Sequence, residues 1–172
     1  MGTADAVRLE GHGLVLREWR DDEGAELVRL FDDPEIAHWT PLASPFDLLA
    51  AEEYLARVRR GRAAGERLHL AITTDGREPM GEVMLNVVAG TIGYGVGAAY
   101  RGQRLAYRAL LLMTEYALQV ERLPQVKLEI EAGNAASVAV ARAAGYRLVN
   151  AEPVPVESNG RSYSLHTWVY GA

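Results

Sequence analysis

Thr91-Ile92-Gly93-Tyr94-Gly95-Val96-Gly97, followed closely by Tyr100-Arg101-Gly102-Gln103-Arg104-Leu105-Ala106, is the stretch on which the fold turns. The first segment reads as a glycine-rich strand, and the second opens a long apolar-periodic helix. Strand, basic loop and helix N-terminus, in that order, make an anion site. The first backbone N–H groups of a helix have no partner within it, and the helix dipole adds roughly half a positive charge there. Arg101 and Arg104 place two full charges beside it. The ligand chemistry implied is a phosphate or pyrophosphate, as on a nucleotide-like cofactor.

Downstream, the helix is expected from about Gln103 to Glu121, with Ala106, Ala109, Leu110, Met113, Tyr116, Ala117 and Val120 on one broad face. Pro124 follows. Gln125 to Glu131 alternates as a strand, with Val126, Leu128 and Ile130 facing one way and Lys127, Glu129 and Glu131 the other. Asn134 can cap a short helix that Gly145 ends. Tyr146 to Asn150 and Ser162 to Tyr170 read as final strands, with a loop between them.

Upstream, Leu14 to Arg20 reads as a strand. Asp21 can cap a helix reaching about Phe31, which Asp33-Pro34 stops. His38-Trp39-Thr40-Pro41 and Ser44-Pro45 read as loop. Asp47 can cap a second helix that fades at Gly61 to Gly65. Leu68 to Thr73 and Met80 to Val88 read as strands around an Asp75-Gly76 turn. Early hairpins and a later strand–helix–strand crossover give a mixed α/β (α+β) class. Nothing repeats, and no linker divides the chain, so one domain is expected over residues 1–172.

Composition narrows the function classes. The chain has 172 residues, enough for one domain with a real core. It contains no cysteine, which removes disulfides, thiolate nucleophiles and cysteine-based zinc sites. Its four histidines lack ligand spacing, so no metal is expected. No apolar leader surrounds Asp5 and Glu10, and no run nears the roughly 18 apolar residues of a membrane helix. A soluble, cytoplasmic protein without a membrane partner is the expectation. The net charge of −5 argues against nucleic acid as a partner and suits a cationic substrate. Arg57, Arg59, Arg60 and Arg62 read as a solvated helix end. No Gly-Lys-Ser/Thr follows the basic loop, which excludes a P-loop.

Four motifs recur here in a telling order: Ile92-Gly93-Tyr94, Arg101-Gly102-Gln103-Arg104-Leu105-Ala106, Asn134-Ala135-Ala136-Ser137 and Ala144-Gly145-Tyr146. Their order and spacing resemble the GNAT N-acetyltransferases, most of all the RimJ/RimL branch of ribosomal-protein N-terminal acetyltransferases. Leu14-Val15-Leu16-Arg17, Phe31-Asp32-Asp33-Pro34-Glu35-Ile36 and Gly81-Glu82-Val83 are similar to the same branch, so the resemblance covers nearly the whole chain. It implies the GNAT acyl-CoA N-acyltransferase fold, with flanking helices and a mixed central sheet of about six to seven strands. That sheet splays between the fourth and fifth expected strands, Thr91–Gly97 and Gln125–Glu131.

By the same resemblance, acetyl-CoA is the co-substrate. Its pantetheine arm pairs with backbone around Tyr94 and Val96, and glycines 93, 95 and 97 allow close approach. Its pyrophosphate sits on Arg101, Gly102, Gln103, Arg104, Leu105 and Ala106. One departure stands out: the family's central loop glycine is Arg104 here. Either a left-handed arginine costs about 1–2 kcal/mol there, or its guanidinium binds phosphate and offsets that cost.

The implied reaction is direct transfer of acetyl from a thioester to an amine, either a protein N-terminal α-amine or a small-molecule amine. The amine must be neutral to attack, yet a lysine titrates near ~10.4 and an α-amine near ~8. A base or an ordered water must therefore take the proton. Glu82 is the first candidate and Glu157 the second, with His38 and His166 as further choices. A backbone N–H near Val96 can meet charge developing on the carbonyl oxygen. The resemblance places Ser137 near the sulfur as an O–H donor; Ser137 is equally the third residue of the helix capped by Asn134. Asn134 contacts pantetheine or only caps its helix. The tyrosine acid of other GNAT branches falls at Ala141 and is excluded. Loops at 34–46 and 150–161 are expected to form the acceptor cleft, with His38 and Trp39 on its rim. Related proteins often pair as homodimers, and this chain is consistent with that. A second reading, which Arg104 and the missing tyrosine favour, is a catalytically silent GNAT module that binds acyl-CoA or a protein partner.

Overall fold

The computed structural model describes residues 5–149 and 151–171. Strand β1 (Arg8–Gly11) pairs with β2 (Leu14–Glu18). Their connection, His12-Gly13, has φ of 51° and 74°. Two left-handed residues in a row are the two-residue turn that matches strand twist. Three helices follow: α1 (Gly24–Phe31), α2 (Pro34–Trp39) and α3 (Leu48–Ala63). Next come β3 (Arg67–Thr73), β4 (Gly81–Asn86), β5 (Thr91–Val96) and α4 (Leu105–Gln119). The chain closes with β6 (Gln125–Glu131), α5 (Ala135–Ala143), β7 (Arg147–Leu148), β8 (Val154–Ser158) and β9 (Arg161–Gly171).

The strands form one nine-stranded sheet in the order β1-β2-β3-β4-β5-β6-β9-β7, with β8 also on β9. Every pairing is antiparallel except β5 with β6, which meet in parallel at one residue pair, Thr91 with Lys127. The expected splay is therefore present. The mixed α/β class with flanking helices holds, and the count exceeds six to seven because the short strands β1 and β8 were not legible as strands.

Each face of the sheet carries its own core. On one side, Leu70, Ile72, Val83, Leu85, Leu110, Met113 and Leu128 pack beneath α4 and α5. On the other, Leu27, Leu30, Phe31, Phe46 and Leu55 join α1 to α3. Each such side chain contributes about 1.5–3 kcal/mol on burial. Gly81 is the tightest backbone approach: a Cβ there would strike the Gly95 carbonyl across the ladder. Gly93 and Gly95 meet only ordinary contacts, from Met84 and from Ile36 and Phe31.

Several local expectations shift. Asp21 does not cap α1, which begins at Gly24 without a side-chain cap; Asp21 instead pairs with Arg59 at 2.8 Å. Asp33-Pro34 starts a helix rather than only stopping one. Asp33 Oδ1 accepts from the N–H of Glu35 at 2.8 Å and of Ile36 at 3.2 Å, and Pro34 fills the first helical position. His38 and Trp39 thus lie on α2. The segment read as loop before the last strand contains β8, which turns into β9 through Asn159-Gly160 with φ of 50° and 74°. The strand expected at Tyr146 to Asn150 contracts to Arg147–Leu148, and Asn150 lies outside the described residues. Val120 is 62% exposed at the end of α4, not core. Arg62 pairs with Glu18 at 2.8 Å, so the arginine cluster also ties α3 to the sheet.

Candidate active site

The splay exposes one edge of β5. The Gly97 N–H donates to the Met80 carbonyl at 2.9 Å, beside the Gly81–Val96 pair of the β4–β5 ladder. Antiparallel alternation then turns the backbone groups of Gly93 and Gly95 toward β4, and those of Ile92, Tyr94 and Val96 toward β6. On that side β6 pairs only at Thr91, where Lys127 N–H reaches the Gly90 carbonyl at 2.8 Å. The N–H and C=O groups of Tyr94 and Val96 are left facing an open cleft.

The cleft ends at the basic loop. Gly102 has φ of 89°, and Arg104 is left-handed with φ of 57° and ψ of 29°. An arginine thus adopts the conformation that a glycine would take without strain. Its guanidinium lies 4.4 Å over the Tyr107 ring. No side chain caps α4, so the N–H groups of Leu105 and Ala106 stay available. Arg101 is held by Asp33 and Glu35, which offsets part of its charge. Arg108, not singled out from sequence, braces the loop: it donates to the Gln103 carbonyl at 3.3 Å and to the carbonyls of His12 and Gly13 at 2.8 and 3.0 Å.

The α5 wall brings Asn134, Ser137 and Tyr94 together. Asn134 Oδ1 accepts from the Ser137 N–H at 3.2 Å, so the capping role is realised. Tyr94 stands opposite Val83 across the β4–β5 ladder, on the α4–α5 face. Its hydroxyl is buried and has no hydrogen-bond partner, a condition that costs about 1–3 kcal/mol. Burial raises the Tyr94 phenol, while the Ser137 hydroxyl alongside pulls it the other way. Behind them, Tyr146 and Thr114 hydroxyls bond at 2.6 Å, and burial pushes Tyr146 up to about 12. Ala141 is fully buried.

These features fit an extended diamide chain ending in phosphates. An open strand edge, an unsatisfied buried hydroxyl and an uncapped helix start lie along one path. The residues therefore suit acetyl-CoA.

Glu82 projects from β4 to the opposite face, across from Gly95. It is only 6% exposed. Trp19 Nε1 donates to its Oε2 at 2.8 Å, the Tyr54 hydroxyl donates to Oε1, and His69 Nδ1 lies 3.3 Å from the same oxygen. Burial and the Glu82 carboxylate raise the Tyr54 phenol well above its ordinary range. Glu157 lies on β8, exposed, accepting from the Ser162 hydroxyl at 3.1 Å. His166 sits on β9 opposite Ile130, half-buried.

A pocket of about 710 Å³ opens beside α2, lined by Phe31, Asp32, Asp33, His38, Phe46 and Arg161. The expected segments do meet around it: Asn159 Nδ2 donates to the carbonyls of Ala37 and Leu42, both at 3.0 Å. His38 lines the pocket. Trp39 packs edge-on against His38, ring centres 4.3 Å apart, and reaches toward Gly133. Sequence reasoning missed Arg161; its signal was the Asn159-Gly160 dipeptide just before it, a two-residue hairpin turn. Among the described residues, no cluster of three or more His, Asp or Glu could hold a metal ion. No helix there is long and apolar enough to cross a membrane.

Known proteins share this architecture. Mycobacterium smegmatis RimJ in complex with CoA-disulfide superposes with a TM-score of 0.83 at 21% identity, over 97% of this chain and 87% of that one. A Salmonella typhimurium acetyltransferase that modifies the N-terminal serine of ribosomal protein L7/L12 gives 0.81 at 15%, over 96% and 99%. The microcin C7 self-immunity acetyltransferase MccE, in complex with acetyl-CoA and AMP, gives 0.80 at 18%, over 94% of both chains. No curated protein sequence matches the chain. Residues 13–147 match the family profile described as an acetyltransferase (GNAT) domain. With that match over most of its length, and with the splayed sheet that such a domain needs, the chain belongs to the GNAT family of acetyltransferases.

Proposed function

We propose that this protein moves the acetyl group of acetyl-CoA directly onto an amine nitrogen, the α-amine of a protein N-terminus in the first instance. The observation that carries this reading is the unpaired edge of β5 at Tyr94 and Val96, leading to the uncapped start of α4. Acetyl-CoA supplies an acyl group already activated as a thioester.

The chain's residues do the rest. The N–H groups of Leu105 and Ala106, with Arg101, Gly102, Gln103 and Arg104 around them, hold the pyrophosphate. Backbone of Tyr94 and Val96 pairs with the pantetheine amides, and Asn134 closes that arm from α5. The Val96 N–H meets charge on the carbonyl oxygen. Ser137 offers an O–H to the departing sulfur. Glu82 is the base, taking the amine proton through water because the Trp19 N–H and the Tyr54 hydroxyl already donate to its two oxygens.

The acceptor pocket supports an α-amine beside an apolar side chain. Asp32 and Asp33 attract a cation, and Phe31 and Phe46 offer an aromatic wall, their rings 6.0 Å apart. His38 and Trp39 form the rim. At pH 7 roughly a tenth of an α-amine is neutral, against less than roughly a thousandth of a lysine. The Salmonella typhimurium neighbour that modifies an N-terminal serine supports the same acceptor. A second reading, a silent module that binds acyl-CoA or a protein, is favoured by one observation: the buried, fully occupied carboxylate of Glu82.

Calorimetric titration with acetyl-CoA, with desulfo-CoA and ATP as controls, tests the reading. Micromolar affinity for acetyl-CoA, roughly −8 kcal/mol, and none for ATP is expected. Mass spectrometry of peptides bearing different N-terminal residues should then show acetylation. Absence of acetyl-CoA binding overturns the reading; binding without transfer to any amine establishes the silent module.

A further inference from the structure

Among the described residues, the Tyr94 hydroxyl is the buried side-chain polar atom that finds no hydrogen-bond partner. A buried orphan of this kind is destabilising unless binding supplies what it lacks. Its place is informative. Tyr94 belongs to the unpaired stretch of β5, and its side chain stands on the face covered by α4 and α5. The Ser137 hydroxyl, from the first turn of α5, lies alongside it. Ala141, one turn further along α5, has no polar group to offer.

We propose that the Tyr94 hydroxyl is a second donor to the thioester sulfur, and to the thiolate that leaves, beside the Ser137 hydroxyl. This rests on the acetyl-CoA reading above. The amine nitrogen forms a bond to the carbonyl carbon, the carbon–sulfur bond breaks, and its electron pair goes to sulfur. The nitrogen's proton passes to the base and on to solvent. The thiolate is held by the Tyr94 O–H and takes its proton from solvent after release. Tyr94 itself keeps its proton throughout, because burial makes a buried tyrosinate costly. It acts as a fixed dipole aimed at developing charge, which costs no reorganisation during the step.

The test needs no acceptor. CoA and desulfo-CoA differ at the sulfur alone, so their affinity ratio reads what the protein does for that atom. Calorimetry at about pH 9, toward the range in which a thiol ionises, should give the wild type about a tenfold preference for CoA, or about 1.4 kcal/mol. Tyr94→Phe should lower the ratio severalfold and leave desulfo-CoA affinity unchanged. The Tm of the free Tyr94→Phe protein should not fall, since the change removes only an unsatisfied hydroxyl. A ratio that persists in Tyr94→Phe overturns the proposal. So does a fall in Tm of the free variant with the ratio intact, which makes the hydroxyl structural. If neither ligand binds the wild type, the acetyl-CoA reading itself fails, and this proposal with it.

Discussion

Arg161 on β9 grips Glu131 on β6 through two parallel hydrogen bonds of 2.8 and 3.0 Å. The same guanidinium donates to the His38 carbonyl at the end of α2 and lies 4.3 Å over the Tyr163 ring. One side chain thus joins two strands to the helix that walls the proposed acceptor pocket. Arg161→Ala should cost about 0.5–1 kcal/mol of stability, as expected for a partly exposed pair. Its larger effect should be on the acceptor: KM for a peptide amine rises severalfold while acetyl-CoA affinity holds. Arg161→Lys should not rescue it, because a lysine cannot make the paired contact. Steady-state kinetics with each substrate varied separately checks this, and an unchanged acceptor KM would remove Arg161 from the pocket's function.

Arg104 sits in the left-handed region, φ 57°, at the start of α4. Its guanidinium rests on the Tyr107 ring, in the first turn of the same helix. Replacing it by glycine relieves the backbone, and replacing it by alanine does not. Arg104→Gly should therefore be more stable than Arg104→Ala by about 1 kcal/mol in urea unfolding. Acetyl-CoA affinity of the glycine variant should fall by no more than about tenfold, since one cation beside the pyrophosphate is lost while the backbone N–H groups remain. Equal stability of the two variants would show that the loop relaxes out of this conformation.

How much of this was legible in the sequence depended on distance along the chain. β6 showed through its clean alternation, and α5 through Asn134 and Gly145 at its ends. The loop at 101–106 was readable because strand, basic residues and helix are contiguous. β1 and β8 were not, because each is short and half-exposed and gains its identity from a hairpin partner. His12-Gly13 and Asn159-Gly160 were the only local signs of those hairpins. The setting of Glu82 was invisible for a different reason: Trp19, Tyr54 and His69 come from three separate parts of the chain, 63 residues away in the case of Trp19. Its position on a central strand was readable; its three partners were not.

The buried pair of Arg17 and Glu23 predicts acid sensitivity. Both side chains are under a tenth exposed, and two 2.8 Å bonds join them. Burial alone would raise the Glu23 carboxyl. The Arg17 guanidinium and the Arg20 N–H outweigh it and hold the group below its ordinary 4.5. A carboxyl lowered in the folded state contributes stability above its unfolded value and loses it as pH falls through the folded one. Wild-type stability should therefore decline from about pH 4.5 downward. Glu23→Gln should cost about 3 kcal/mol near pH 7, because it leaves the Arg17 charge buried and unpaired. The difference between the two proteins should shrink in acid. Urea unfolding across that range checks it, and a pH-independent difference would mean the pair does not titrate with folding.

Glu82 invites a test that separates chemistry from architecture. Its Oε2 accepts from Trp19 Nε1 at 2.8 Å, while Oε1 faces the Tyr54 hydroxyl and His69. In Glu82→Gln, the amide can serve the Tyr54 side with its oxygen only by turning its NH2 toward the Trp19 N–H. Two donors then face each other in a buried site, which costs about 1–3 kcal/mol. A fall in turnover from this variant alone is therefore ambiguous. Trp19→Phe removes the opposing donor, so the double variant should recover most of the lost Tm. If Glu82 is the base, turnover in the double variant stays low, by about 100-fold or more, with acetyl-CoA affinity unchanged. If turnover returns together with Tm, the carboxylate's work is to hold Trp19, Tyr54 and His69 in place, and the proton leaves the amine by another route, with His38 at the pocket rim the next residue to change.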